Sequence, residues 1–333
     1  MKARAAIKSG VLMAQLGTPA SVEVTDVRSY LREFLSDPYM VRANRLVWKL
    51  VLHFLVLPRY AKKSAARYRL IWTSQGSPLQ VISAAQAQNI AERLRFSDEV
   101  PVAYGMRYGQ PSLEEGVRAL LAAECRRVLL FPLFPQYSSA INPSVEEVVA
   151  DAVKACDKEV ELKVAKPFYD SPAYIDALAQ SLNEFLASLP DQPQALVLSY
   201  HSLPEAFVRN RDPYCSMCAQ TTALLLPRLD FPADQVRHCY QSRFGFAKWI
   251  GPYTDHTIKS LAASGVRRIA VACPGFVADC IESLYELGVG AREMFLQAGG
   301  RTFDLAPCFN LHVSWLDALE AMIRAELELE MYV

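Results

Sequence analysis

The feature that most constrains this chain is a repeated pairing of a short, unbroken apolar run with a turn and then a stretch of helical periodicity. Residues 10–16 (GVLMAQL) run into Gly17-Thr18-Pro19 and a helix over 24–35. Residues 100–104 lead to a helix from Ser112, and 127–134 (RVLLFPLF) to a helix near 145–154. The second half repeats the arrangement, with strands expected at 161–165, 195–200 (ALVLSY), 236–241 and 268–273 (RIAVAC). Helices are expected over 172–189, 219–229, 254–263 and 281–297. Runs apolar at every position suit strands covered on both faces, and their alternation with helices argues for parallel sheets. The expectation is an α/β protein of two similar domains meeting near residues 160–170, closed by an amphipathic helix over 314–330.

Composition narrows the class. With 333 residues, 52% apolar and 21% charged, the chain has ample material for cores and none of the signature of disorder. Lys plus Arg is 35 and Asp plus Glu is 35, so the general basic excess of a nucleic-acid binder is absent. The first residues, MKARAAIKSGVLMAQLG, lack the apolar core and cleavage site of a signal peptide, so a cytoplasmic location is expected. Eight scattered cysteines then read as free thiols or metal ligands, with Cys215 and Cys218 as the one close pair. Residues 46–57 (LVWKLVLHFLVL) are too short to span a bilayer, which takes ~20 apolar residues. On a helix Val47, Leu50, Val51, Phe54 and Leu55 share one face, which either packs on the core or a second subunit, or dips into a membrane surface. No oligomeric state is read from the residues.

In open parallel sheets, ligands bind beyond the carboxyl ends of the strands. The run ALVLSY ends on His201-Ser202-Leu203-Pro204, and RIAVAC ends on Pro274-Gly275-Phe276, leading to Asp279, Glu282 and Glu286. A histidine facing carboxylates is suited to accepting protons and touching a divalent metal. Taken singly, such a histidine is equally a capping or core residue, and Glu282 with Glu286 equally a solvated helix face. Arg107 and Tyr108, and later Gln241, Arg243, Phe244 and Trp249, place a cation beside aromatics after a strand, a combination suited to a flat acidic ligand. The dinucleotide, P-loop, nucleophile-elbow and zinc-protease motifs are absent.

Taken together, these segments resemble the ferrochelatases. The match is carried by LGTP at 16–19, YLREFLSDPYMV at 30–41, GSPL at 76–79, YGMRYGQPSLEE at 104–115, LFPLFPQYSS at 130–139 and LSYHSLPEAFVRNRDPY at 198–214. It continues with YQSRFGFAKWIGPYTD at 240–255 and GFVADCIESLYELG at 275–288, in the family's order over most of the chain. The resemblance implies two Rossmann-like domains, residues 1–165 with a lip at about 40–80 and residues 166–312, followed by a helix at 313–333, with porphyrin held in a cleft between them. It implies insertion of Fe²⁺, the metal substrate, into protoporphyrin IX with loss of two protons, giving protohaem.

Residue by residue, the resemblance implies that His201 is metal ligand or proton acceptor and that Glu282 is the opposing carboxylate. Asp279 and Glu286 then line a proton or metal path, and Arg107, Tyr108, Gln241 and Trp249 contact the porphyrin. Departures are Arg211 where the signature usually has glycine, Gln15 where asparagine is usual, and Cys280 where animal members have histidine. Some ferrochelatases carry a [2Fe–2S] cluster, and Cys215, Cys218, Cys239 and, as fourth, Cys273 or Cys280 are its candidate ligands here, with plain thiols as the alternative. Competing readings are a coproporphyrin enzyme, a cobalt chelatase, and a porphyrin or haem carrier without catalysis. Peripheral membrane contact through the lip is the remaining expected partner.

Overall fold

Each expected strand forms, and the central ones, over residues 9–17, 127–132, 195–201 and 268–272, are buried almost throughout. In the computed structural model, which describes residues 7–156, 158–245 and 247–329, the chain divides into two units. The first comprises described residues 7–133, 139–167 and 316–329, and the second 134–138 and 168–315. The first holds four parallel strands, β1 (Ser9–Gly17), β2 (Val102–Tyr108), β3 (Arg127–Pro132) and β4 (Glu161–Val164), in the order β2-β1-β3-β4. The second holds β5 (Ala195–His201), β6 (Val236–Gln241), β7 (Arg268–Ala272) and β8 (Thr302–Leu305), in the order β6-β5-β7-β8. The two orders are the same, so the pattern shared by the halves of the sequence is a shared topology.

The helices of the first unit are α1 (Val24–Ser36), α2 (Arg45–Val51), α3 (Leu57–Ile71), α4 (Pro78–Asp98), α5 (Leu113–Ala122) and α6 (Asn142–Lys154). The second adds α7 (Pro172–Ser188), α8 (Glu205–Arg209), α9 (Tyr214–Leu225), α10 (Thr254–Ala263) and α11 (Arg292–Gln297). The final helix, α12 (Val313–Leu327), does not stand apart as residues 313–333 were expected to. From Leu316 onward it belongs to the first unit, where Asp317 and Glu320 pair with Arg93, and Glu326 with Lys163. Its Trp315 belongs to the second unit, stacked on Phe309.

Local chemistry explains the turns. Ser112 caps α5 by accepting from the Glu115 amide while the Glu115 carboxylate accepts from the Ser112 amide. Gly17 ends β1 at φ +125°, and a Cβ there would lie 1.8 Å from the Tyr108 carbonyl oxygen, so only glycine lets β1 and β2 close at this point.

Two helical stretches use i→i+5 bonding, Leu52–Val56 between α2 and α3, and Glu282–Ala291 ahead of α11. The first carries the lip. Leu52, Val56 and Leu57 are buried with Leu35, and Trp48 and Val51 pack against them. The rest of the expected stripe faces outward: Val47, Leu50, Phe54 and Leu55 are all exposed, as is Leu46. Among the described residues, no helix is long and apolar enough to cross a membrane.

Candidate active site

The strand order β6-β5-β7-β8 reverses direction between β5 and β7, and ligands of doubly wound sheets sit outside the carboxyl ends of the strands at such a switch point. His201 is the last residue of β5, and the loop after β7 leads into the wide helix that begins with Glu282. The topology therefore delivers the imidazole and the carboxylate to one end of one sheet.

The His201 ring is oriented by its neighbour. Nδ1 lies 2.6 Å from the Ser202 carbonyl oxygen, which can only accept, so Nδ1 carries the proton and Nε2 keeps the basic lone pair. Ser202 is held in turn: its amide donates to the Gln241 carbonyl at 2.7 Å and its hydroxyl to the Ile250 carbonyl at 2.8 Å.

Gln241 ties this strand end to the wide helix. It pairs with His201 across β5 and β6, and its Nε2 donates to the Glu282 carbonyl at 3.4 Å. Its Oε1 accepts from the Ser199 hydroxyl at 2.6 Å, so the Thr254 hydroxyl, 2.7 Å away, donates to Ser199. Gln241 is 5% exposed with both amide atoms engaged, so it braces the end of β6 against the wide helix. Trp249 is half-buried beside the His201 loop, bridged to Pro204, and the Glu205 amide donates to the Lys248 carbonyl at 2.9 Å.

The carboxylates differ in kind. Asp279 is 6% exposed and accepts from the Ser283 hydroxyl at 2.7 Å, from Asn310 Nδ2 at 2.7 Å and from the Cys308 amide at 3.4 Å. So engaged, it anchors the turn into the wide helix. Glu282 and Glu286 are half-buried, one wide turn apart on the same flank, and the Ser242 hydroxyl donates to Glu286 Oε2. The helix expected over 281–297 is present, its first part, Glu282–Ala291, in the wider i→i+5 geometry and Arg292–Gln297 α-helical. Burial, with Glu282 beside it, holds the Cys280 thiol protonated.

Arg107 and Tyr108 lie in the first unit and converge on Asp37. Its Oδ2 takes Arg107 Nη2 at 2.8 Å, the Tyr108 hydroxyl at 2.8 Å and the Ser144 hydroxyl, while Oδ1 takes the Tyr39 amide at 2.7 Å. Tyr108 is 1% exposed, and burial raises its phenol well above the usual range, so it acts as a neutral donor inside the unit. Arg107 also borders a hollow of about 400 Å³ lined by Glu33, Glu114 and Arg118. Its mixed charges suit a hydrated surface better than an apolar ring. Sequence reasoning missed Asp37, Ser199, Thr254 and Asn310. Asp37 stood in a quoted motif, but partners 70 or more residues away leave no local signal.

The cluster expectation is corrected. Strand alternation puts Tyr240 and Cys239 on opposite faces of β6. Cys215 pairs with Tyr240 and Cys218 with Tyr214, while Cys239 bonds Thr254 and Thr257. Cys273 meets Cys308 in the core on the Cys239 side. Burial raises Cys215 and Cys218, and pushes Cys239 up to about 11, so without a bound metal these side chains are neutral thiols. Among the described residues no group of three or more His, Cys, Asp or Glu side chains is arranged to hold a metal ion, so the candidate cysteines do not fit a [2Fe–2S] cluster.

Two parallel sheets of one topology, with a histidine and carboxylates at the switch point of the second, define a chelatase-type fold. Solved structures share it. SirB from Bacillus subtilis with Fe³⁺ superposes with TM-score 0.58 at 12% identity, covering 96% of both chains. The sirohydrochlorin chelatase SirB from Bacillus subtilis subspecies spizizenii in complex with cobalt gives 0.55 at 12% identity, covering 97% of this chain and 96% of that one.

The ferrochelatase family profile matches residues 8–327, and the chain belongs to that family. Ferrochelatase of Azoarcus sp. (strain BH72) is 42% identical over 319 residues, covering 96% of this chain and 88% of the relative. That of Rhizobium meliloti (strain 1021) is 41% identical over 323 residues, covering 96% and 95%. The chain is thus an enzyme of metal insertion into a porphyrin, with Fe²⁺ as its metal substrate.

Proposed function

We propose that the porphyrin is protoporphyrin IX and that His201 and Glu282 carry the reaction. Two pyrrole N–H protons leave as Fe²⁺ enters, so the overall step is porphyrin plus Fe²⁺ giving haem plus two protons. His201 accepts a proton, or transiently binds iron, through Nε2. Glu282 guides the metal from the opposite side, and Glu286 extends the polar path. Imidazole and carboxylate are competent ligands for Fe²⁺ and weak enough to pass it on. Binding energy from the propionates and the ring edge offsets the distortion that exposes the ring nitrogens. The observation that carries this reading is the 2.6 Å contact between His201 Nδ1 and the Ser202 carbonyl, which occupies Nδ1 and leaves Nε2 for the substrate side at the end of β5.

Anaerobic Fe²⁺ with protoporphyrin or coproporphyrin, followed by absorbance, tests it. Haem formed from protoporphyrin at higher kcat/KM supports the proposal. Preference for coproporphyrin assigns the other ring, and tight binding without a new metalloporphyrin spectrum returns the carrier reading.

We also propose cytoplasmic residence with reversible membrane contact through the lip. Support comes from five large apolar side chains exposed together at Leu46, Val47, Leu50, Phe54 and Leu55. Arg45, Lys49 and Arg59 lie among them, an apolar face with basic neighbours of the kind that settles at a lipid headgroup boundary. Co-sedimentation with phospholipid vesicles tests it; protein that stays in the supernatant at every lipid concentration would remove the proposal.

A further inference from the structure

Among the described residues, six other than glycine adopt positive φ: Glu99, Glu124, Arg211, Ser242, Asn310 and Glu328. Glu99, Glu124, Arg211 and Glu328 each follow the end of a helix, where a left-handed residue is an ordinary terminator. Asparagine tolerates the conformation. Ser242, at φ +66°, follows a strand, and is the one left without such a reason.

Its consequence is geometric. In a strand that ran on straight, residues 241 and 242 would point to opposite faces of the sheet. The left-handed turn instead brings the Ser242 hydroxyl to the helix already reached by the Gln241 amide. Gln241 donates to the carbonyl of Glu282, and Ser242 donates to the carboxylate of Glu286. Two consecutive residues thus grip successive turns of the wide helix from the strand paired with His201.

We propose that Ser242 is a positioning residue for metal delivery: its strained backbone aims the hydroxyl that holds the Glu286 side chain in place beyond Glu282. Strain of this kind is often kept at functional sites because the surrounding structure over-determines it. The inference rests on the reading that Glu286 lies on the metal path.

The test compares Ser242→Gly, Ser242→Ala and Glu286→Ala with the unaltered enzyme. Readouts are thermal unfolding and anaerobic kinetics varying Fe²⁺ and protoporphyrin separately. Glycine relieves the backbone, so Ser242→Gly is expected to unfold no earlier than the original. Having lost a hydrogen bond to a charged group, it should still need about tenfold more Fe²⁺ for half-saturation, with porphyrin KM within about twofold. Ser242→Ala should share the iron defect. If both variants keep the original iron KM while Glu286→Ala raises it, the positioning role is overturned and the path stands. If Glu286→Ala leaves iron KM unchanged, the path reading itself falls, and this inference with it. A fall in unfolding temperature with both KM values shifted equally would make Ser242 a structural residue only.

Discussion

Arg211 stands where the resembling signature usually has glycine, and its φ of +65° gives the reason: the residue terminates α8 in the left-handed region. A side chain there costs about 1 kcal/mol relative to glycine. Arg211→Gly is therefore expected to raise the unfolding temperature by about 1–2 °C for a chain of this size, with kcat unchanged. A lower unfolding temperature would show that the arginine makes a compensating contact. At His201 the expectation is chemical. His201→Ala removes the basic Nε2, so kcat should fall about 100-fold or more, while fluorescence titration still detects porphyrin binding at near-original Kd. Retention of over about a tenth of kcat, a barrier change under ~1.4 kcal/mol, would take His201 out of the mechanism. Of the proposed site residues, His201 could be read as a strand end because it follows the apolar run ALVLSY directly, whereas Glu282 lies nine residues beyond RIAVAC and was marked by the family resemblance. Gln241 was legible as a polar strand end, but its burial was not. The Ser199 hydroxyl that engages it lies 42 residues away, and the Thr254 hydroxyl that donates to Ser199 lies in the next helix, beyond any local pattern.

At the scale of elements, the buried strands were the clearest signal, since parallel strands covered on both faces must be apolar throughout. β8 was missed: its four residues include Thr302 and Asp304, and it sits at the sheet edge, where only one neighbour must be satisfied. No helix was read over 78–98, where α4 runs for 21 residues with Gln80, Gln86 and Gln88 among its apolar positions. Nor could periodicity distinguish the wide helix at Glu282 from an α-helix, because its buried positions Ser283, Leu287 and Ala291 recur every four residues, a spacing that fits either. The lip gives the element-scale prediction. Leu50→Glu with Phe54→Glu alters two exposed side chains and should abolish vesicle co-sedimentation with little change in stability. Leu57→Ala, in the buried cluster beneath, should cost about 2–5 kcal/mol in urea unfolding. A large loss of stability in the double glutamate variant would place that face inside a packed interface.

For the whole molecule, the thiols give the sharpest expectation. With Cys215 and Cys218 on one face of β6 and Cys239 on the other, anaerobically purified protein should be free of acid-labile sulfide and of cluster absorbance. Cys215→Ser should then leave activity within about twofold of the original, an effect under ~0.5 kcal/mol. A brown protein bleached by that substitution would mean that the thiols gather as this structure does not gather them. The amino-acid sequence by itself determined the class, two parallel α/β units, and the family, because both are written in local runs and ordered motifs. The tertiary structure alone decided which polar groups are occupied. Asp279 is consumed as an anchor, Gln241 as a brace and Asp37 by Arg107 and Tyr108, while Phe54 and Leu50 face outward. The physical reason is that an apolar run reports its own burial, whereas a hydrogen bond or an exposed face depends on what distant chain the fold sets beside it.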